Sequence, residues 1–193
     1  MMSFYTKRKL AFATQDLQQP VQMLRELVAT HGGTTLWGLW HGVFGMASNE
    51  LMLVTAHDDH EDGLTLPENI RVLEEYQLKA TARPTDNTPL SQAGIYVFRD
   101  FALDAKDIEE VVALSSAAWQ TFESGENYSA QPMGLFAPQT PSANCVMHLL
   151  TWYPDFSSWQ NSRESGPQAL QRFAARRALT YSTNAVATRL DLS

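Results

Sequence analysis

The chain has 193 residues, 44% hydrophobic, 10% aromatic and 18% charged, and its 14 Lys and Arg stand against 21 Asp and Glu for a formal net charge of −7. That apolar content offsets the entropy of ordering and excludes wholesale disorder, while the length limits the chain to one compact domain or two small packed units. The acidic balance argues against nucleic acid and membrane surfaces as partners, and the single cysteine, Cys145, excludes an intrachain disulfide or a cysteine metal cluster.

No long apolar stretch follows Met1–Lys9, so neither a secretory leader nor a membrane span is expected and the setting is read as cytoplasmic. Leu10–Thr14 is a short strand-like run. Asp16 is a candidate N-cap, Pro20 stands in the first turn, Val21, Leu24, Leu27 and Val28 share a helical face, and Gly32-Gly33 ends the helix. Two strands follow, Thr34–Phe44 and Glu50–Ala56. Asp58–Glu68 is acidic and punctuated by Gly and Pro, with a short helix expected over Pro67–Leu73 and a strand over Glu75–Ala82. Arg83–Gln92 has the composition of a linker.

The order then repeats. Ile95–Leu103 reads as a strand, and Asp104 opens a helix on which Ile108, Val111, Val112, Ser115, Trp119 and Phe122 recur at helical spacing until Gly125. Strands are expected over Pro132–Ala137 and Cys145–Trp152. A helix over residues 157–178, capped by Ser157 and broken at Gly166-Pro167, leads to a last strand over Tyr181–Leu190. Displacing the sequence by 96 residues lays Gly38–Asp59 on Gly134–Asp155 without a gap, with identity at Gly38/Gly134, Leu39/Leu135, Ala47/Ala143, Leu53/Leu149, Thr55/Thr151 and Asp59/Asp155.

Each half therefore reads β-α-β-β-α-β, which makes a four-stranded antiparallel sheet with helices on one face. The bare face of such a sheet must be buried, and a second copy in the same chain supplies the cover. The expected fold is α+β, with two tandem ferredoxin-like repeats, residues 1–90 and 91–193, forming an intrachain dimeric α+β barrel.

Met133-Gly134-Leu135-Phe136, the run Cys145–Asp155 with its Trp152-Tyr153-Pro154-Asp155 ending, and the downstream Arg163 together resemble the NIPSNAP family of the dimeric α+β barrel superfamily. The likeness covers residues 94–190 well and residues 8–82 as a degenerate copy, in which His57-Asp58-Asp59 replaces Tyr-Pro-Asp. The resemblance implies a ferredoxin-like tandem fold without one settled reaction. Related barrels include cofactor-independent monooxygenases, lactone isomerases and haem-binding enzymes, which tend to hold ligands between sheet and helices.

Several groups are candidates for chemistry. His57–Asp62 places two imidazoles among four carboxylates, and it reads as a hydrated acidic loop ahead of a divalent-ion site. Strand alternation puts Val146, His148, Leu150 and Trp152 on one face, where His148 is either a hydrogen-bonded core residue or an acid/base or axial-ligand group. Trp37, Leu39 and His41 are expected to share a face, as heavy core or as the wall of a planar ligand. Tyr153, Arg163, Arg176 and Arg177 have the chemistry to receive a carboxylate or polarise a carbonyl. The leading functional expectation is a pocket of about 300–1,000 Å³ for a small apolar or aromatic molecule. In it His148 is the catalytic base, and Trp37, His41, Trp152, Tyr153 and Arg163 contact the ligand. The alternatives are haem with His148 or His41 as axial ligand, and a non-enzymatic module that docks a partner or a second copy of itself. No cofactor is specified by the sequence.

Overall fold

In the computed structural model, which describes residues 4–123, 128–164 and 167–193, the elements run β1 (Phe4–Ala11), α1 (Gln18–Thr30), β2 (Thr34–Phe44), β3 (Glu50–His57), β4 (Arg71–Ala80), β5 (Ile95–Asp104), α2 (Ile108–Phe122), β6 (Gln131–Pro138), β7 (Asn144–Tyr153), α3 (Phe156–Asn161), α4 (Pro167–Ala178) and β8 (Thr180–Leu190). The eight strands close into one antiparallel barrel in the order β1-β3-β2-β8-β5-β7-β6-β4. Its first four strands lie in the order β4-β1-β3-β2 and its last four in the order β8-β5-β7-β6, so the same arrangement occurs twice. The seams between them are β2 against β8 and β4 against β6. The expected α+β architecture is the one observed, and among the described residues no helix is long and apolar enough to cross a membrane.

A local detail ties the two halves together. The register of β2 on β3 slips between Leu36 and Gly38, and that of β6 on β7 slips between Pro132 and Gly134, the aligned pair of the sequence displacement. At each bulge the ring two residues on lies over the glycine. A Cβ on Gly38 would stand 2.2 Å from the Trp40 ring, and one on Gly134 2.5 Å from the Phe136 ring. Both glycines are therefore steric requirements of an aromatic ring folded back on its own strand.

The barrel interior is filled by Tyr5, Trp37, Trp40, Met52, Val54, Leu78, Tyr96, Phe98, Phe136, Leu150 and Trp152. Its rings meet edge to face, as in Trp40 on Phe98 at 5.1 Å and 87°. Outside, α1 lays Val21, Leu24 and Val28 on Leu39, Leu51 and Leu53. On the other half α2 lays Val111 and Trp119 on Leu135, Met147 and Leu149, and Phe122 meets Phe173 of α4. The period-2 division of β7 holds, with Leu150 and Trp152 inward and Met147 and Leu149 under the helices.

The structure differs from the sequence expectation in five places. First, β1 begins at Phe4 and carries Lys7 and Arg8 buried in the sheet, because each cation meets a carboxylate there. Second, Pro67–Leu73 forms no helix, since a turn at Pro67–Ile70 leads directly into β4. Third, α1 starts without a side-chain cap; Asp16 accepts only the Gln18 amide, at 3.2 Å. Fourth, Asp155, in place of Ser157, caps α3 by accepting the Ser158 amide at 2.7 Å. Fifth, the bulge at Leu36/Gly38 breaks the alternation of β2, so Trp37 points into the barrel while Leu39 packs under α1. The helix stop expected at Gly125 and the break at Gly166 lie outside the described residues.

Candidate functional site

The side chains on the helix-facing side of β5 are Ile95, Val97, Arg99, Phe101 and Leu103, so one guanidinium interrupts an otherwise apolar row. On the adjacent β7 the same side presents Leu149, Thr151 and Tyr153. The helical layer does not close over this spot. A cleft of about 160 Å³ remains, with Arg99, Thr151 and Tyr153 at its base and Trp119, Phe122, Arg163, Phe173 and Arg176 around it. A second cleft, of about 460 Å³, shares Arg99, Arg163, Phe173, Arg176 and Arg177 with the first and extends along β8 to Thr183.

The polar groups of this cleft converge. Arg163 donates to the Tyr153 hydroxyl at 3.3 Å and to Ser162 Oγ at 3.0 Å. Arg176 donates to Ser115 Oγ at 3.3 Å and lies 4.7 Å over the Phe101 ring and 5.2 Å from that of Phe173. Arg99 reaches Thr151 Oγ1 at 3.5 Å. Among the described residues no carboxylate pairs with Arg99, Arg163 or Arg176. Burial, and then the charges of Arg99, Arg177 and Arg163, bring the Arg176 pKa down to about 10, and burial followed by the Arg99 charge lowers that of Arg163. Among the described residues a cluster of cations thus stands without a carboxylate partner in a chain of net negative charge.

His148 lies on the other side of β7, inside the barrel and 2% exposed. Its Nδ1 is 2.6 Å from Asp100 Oδ1 and 3.1 Å from Lys7 Nζ, and Lys7 binds both Asp100 oxygens at 2.9 and 3.0 Å. Burial pushes the Asp100 carboxyl up, but the hydrogen bond and charge of His148 and the charge of Lys7 outweigh it and bring its pKa to about 2. Burial, aided by the Lys7 charge, lowers the His148 pKa against the pull of Asp100. The Tyr76 ring packs on the imidazole at 4.4 Å. Among the described residues His148 Nε2 is buried without a partner.

The remaining sequence candidates divide between places. Tyr153 and Arg163 meet in the cleft. Trp152 is in the barrel interior, donating from its indole to the Ala93 carbonyl at 2.9 Å. Trp37 is also interior and forms part of the floor of a separate cleft under Arg83–Gln92. His41 faces outward, 2.9 Å from Asp191, to which Arg25 of α1 also binds at 2.7 Å. In the expected loop His57–Asp62, Asp58 to Glu61 are exposed, whereas His57 and Asp62 are buried. Arg99 was missed, although its signal was present: a lone cation with Ile95, Val97, Phe101 and Leu103 at period two on its side of a strand.

The closed barrel of antiparallel strands with external helices defines the class: a ferredoxin-like α+β barrel. No family model matches the chain and no curated relative matches it. Solved structures do, over nearly their whole length. An anthrone oxidase-like protein shares 10% identity with a TM-score of 0.67, covering 97% of this chain and 91% of that one. Chlorite dismutase from Candidatus Nitrospira defluvii shares 11% with a TM-score of 0.64 over 98% and 91%. A putative monooxygenase from Lactobacillus acidophilus shares 10% with a TM-score of 0.60 over 97% and 93%. At these identities the likeness is one of fold.

Proposed function

We propose that this chain is a small-molecule-binding α+β barrel protein whose ligand has an apolar or aromatic body and sits between the β5–β7 sheet and the helices α2 and α4. The observation that carries this reading is one cleft that combines the rings of Trp119, Phe122 and Phe173 with Tyr153 and with arginines lacking a carboxylate partner among the described residues. Apolar walls with a few convergent polar groups are the usual make-up of a small-ligand site. The monooxygenase-like fold neighbours lend support from outside the chain.

In the same proposal residues 91–193 are a NIPSNAP-like repeat and residues 1–90 its degenerate copy. The meeting of Tyr153 with Arg163 supports this, since both come from the segment that carries the resemblance. A cofactor-independent oxygenation or an isomerisation of such a ligand passes through an anion left by proton removal. The guanidinium groups would stabilise that charge, and the Tyr153 hydroxyl is an acid/base group at hand. His148, on the far face of β7, serves in this reading as a hydrogen-bond partner of the buried Lys7–Asp100 pair. Haem held by an axial histidine fits poorly: neither His148 nor His41 lines the cleft, and each is already engaged by a carboxylate.

The test is a titration of isotope-labelled protein with 1-naphthol, followed by amide resonances. Shifts centred on Thr151, Tyr153 and Arg99, abolished by the cleft-filling Thr151→Trp, are expected. Shifts centred on His148 and Trp37 instead, or none, would sink the reading. Oxygen uptake with a bound phenol then separates a monooxygenase from an isomerase.

A further inference from the structure

The first half of the barrel contains its own version of the cleft, and there the anion is already in place. Arg8 pairs with Leu53 across β1 and β3, as Arg99 pairs with Leu149 across β5 and β7. Leu53 and Leu149 are aligned residues, and so are Thr55 and Thr151, so Arg8–Thr55 and Arg99–Thr151 are the same pair of positions. Arg8 grips Asp62 through both terminal nitrogens, at 2.5 and 3.0 Å, and Thr55 donates to the same carboxylate at 2.7 Å. The Leu64 amide adds a bond at 3.1 Å, and Arg8 Nε donates to Glu75 at 2.6 Å. Arg8 and Asp62 are both buried. This is a complete bidentate carboxylate receptor, filled by the chain that forms it.

In the second half the receptor is present, and among the described residues no carboxylate fills it. Arg8 lies opposite Glu75 on β4, but Arg99 lies opposite Ala185 on β8, so that acid is gone. Where the first half sends Asp62 back over the sheet, the second sends the turn after α3, which brings Arg163, and α4, which brings Arg176. Two acids have been exchanged for two cations, and the site opens to a cleft instead of to a loop.

Resting on the cleft reading above, the geometry points to a carboxylate on the ligand, docking at Arg99 and Thr151 as Asp62 docks at Arg8 and Thr55. Arg163 and Arg176 flank that carboxylate, and the ligand's apolar body lies against Trp119, Phe122 and Phe173. The substrate class is thus an aromatic or apolar carboxylic acid in its ionised form.

The experiment titrates the protein calorimetrically with 2-naphthoate and its neutral twin 2-naphthamide. The acid should bind about tenfold or more tightly than the amide, since a charge-assisted bidentate pair is lost in the amide. Arg99→Gln should remove that preference. Ala185→Glu, which restores an acid where Glu75 stands, should weaken 2-naphthoate by a similar factor while raising the thermal midpoint, which also reports that the variant folds. Equal binding of acid and amide, unchanged by either substitution, overturns the carboxylate assignment and leaves the cleft reading standing. Binding of neither compound overturns both.

Discussion

Arg8 and Arg99 hold the same station in the two halves of the barrel and meet opposite fates. Arg8 is neutralised by Asp62 and Glu75 and sealed under a loop, whereas Arg99 is gathered with Arg163 and Arg176 under helices that leave an opening. The difference separates structure from function within one molecule. A receptor that the chain satisfies for itself contributes to folding, and one left unsatisfied raises the free energy of the empty protein and lowers it again when an anion enters.

The comparison can be broken most directly at Asp62. Asp62→Ala strands a buried guanidinium that keeps only Glu75, and should cost about 3–5 kcal/mol in urea unfolding. Arg99→Ala, at the equivalent station, should cost under about 1 kcal/mol because Arg99 pairs with no carboxylate among the described residues. Similar losses for the two would end the distinction. The shared bulge sharpens the other side of the comparison. Gly38→Ala and Gly134→Ala each drive a methyl into an aromatic ring, and each should cost about 1–3 kcal/mol, with unequal penalties arguing against equivalent roles.

Acid titration comes next in size. Burial raises the Asp62 pKa, but Arg8 and Thr55 outweigh it and bring it from 3.8 to about 2. A folded pKa below the unfolded one means that the stabilisation is complete above about pH 4 and disappears as pH falls through about 2. The thermal midpoint of Asp62→Asn should therefore vary less than that of the natural chain over that window. The smallest effect is a gain. Arg176→Met keeps the packing on Phe101 and Phe173 but removes a cation crowded by others, and should raise the midpoint by about 2–4 °C for each kcal/mol relieved. Since the depressed Arg176 pKa of about 10 marks the charged form as the disfavoured one, the gain should hold at neutral pH and below, fade as pH rises toward 10, and shrink in added sulfate.

Much of this was legible in the sequence. The displacement that aligns Gly38 with Gly134 carries both bulges, both β-hairpins and the threonine pair, because hydrophobic period and glycine sterics are local properties written residue by residue. The composition of Tyr153, Arg163, Arg176 and Arg177 also suggested an anion receiver. Other features were hidden for physical reasons. The burial of Lys7 and Arg8 has no sign in the local sequence, because it depends on partners tens of residues away, Asp100 and Asp62. The common face expected for Trp37, Leu39 and His41 is split by a bulge that shifts the alternation, and nothing short of the paired strand reveals where it falls. The sequence leaves His148 open between a hydrogen-bonded core residue and an acid/base group, and only strand pairing, which sets Asp100 of β5 beside it, and barrel closure, which brings Lys7 of β1 across to it, show that its Nδ1 is engaged.

Closure of the barrel has a consequence for assembly. With β2 joined to β8 and β4 to β6, every strand has a strand neighbour on both sides, and the chain closes its own sheet without a second molecule. Completing this architecture is a unimolecular event, indifferent to dilution.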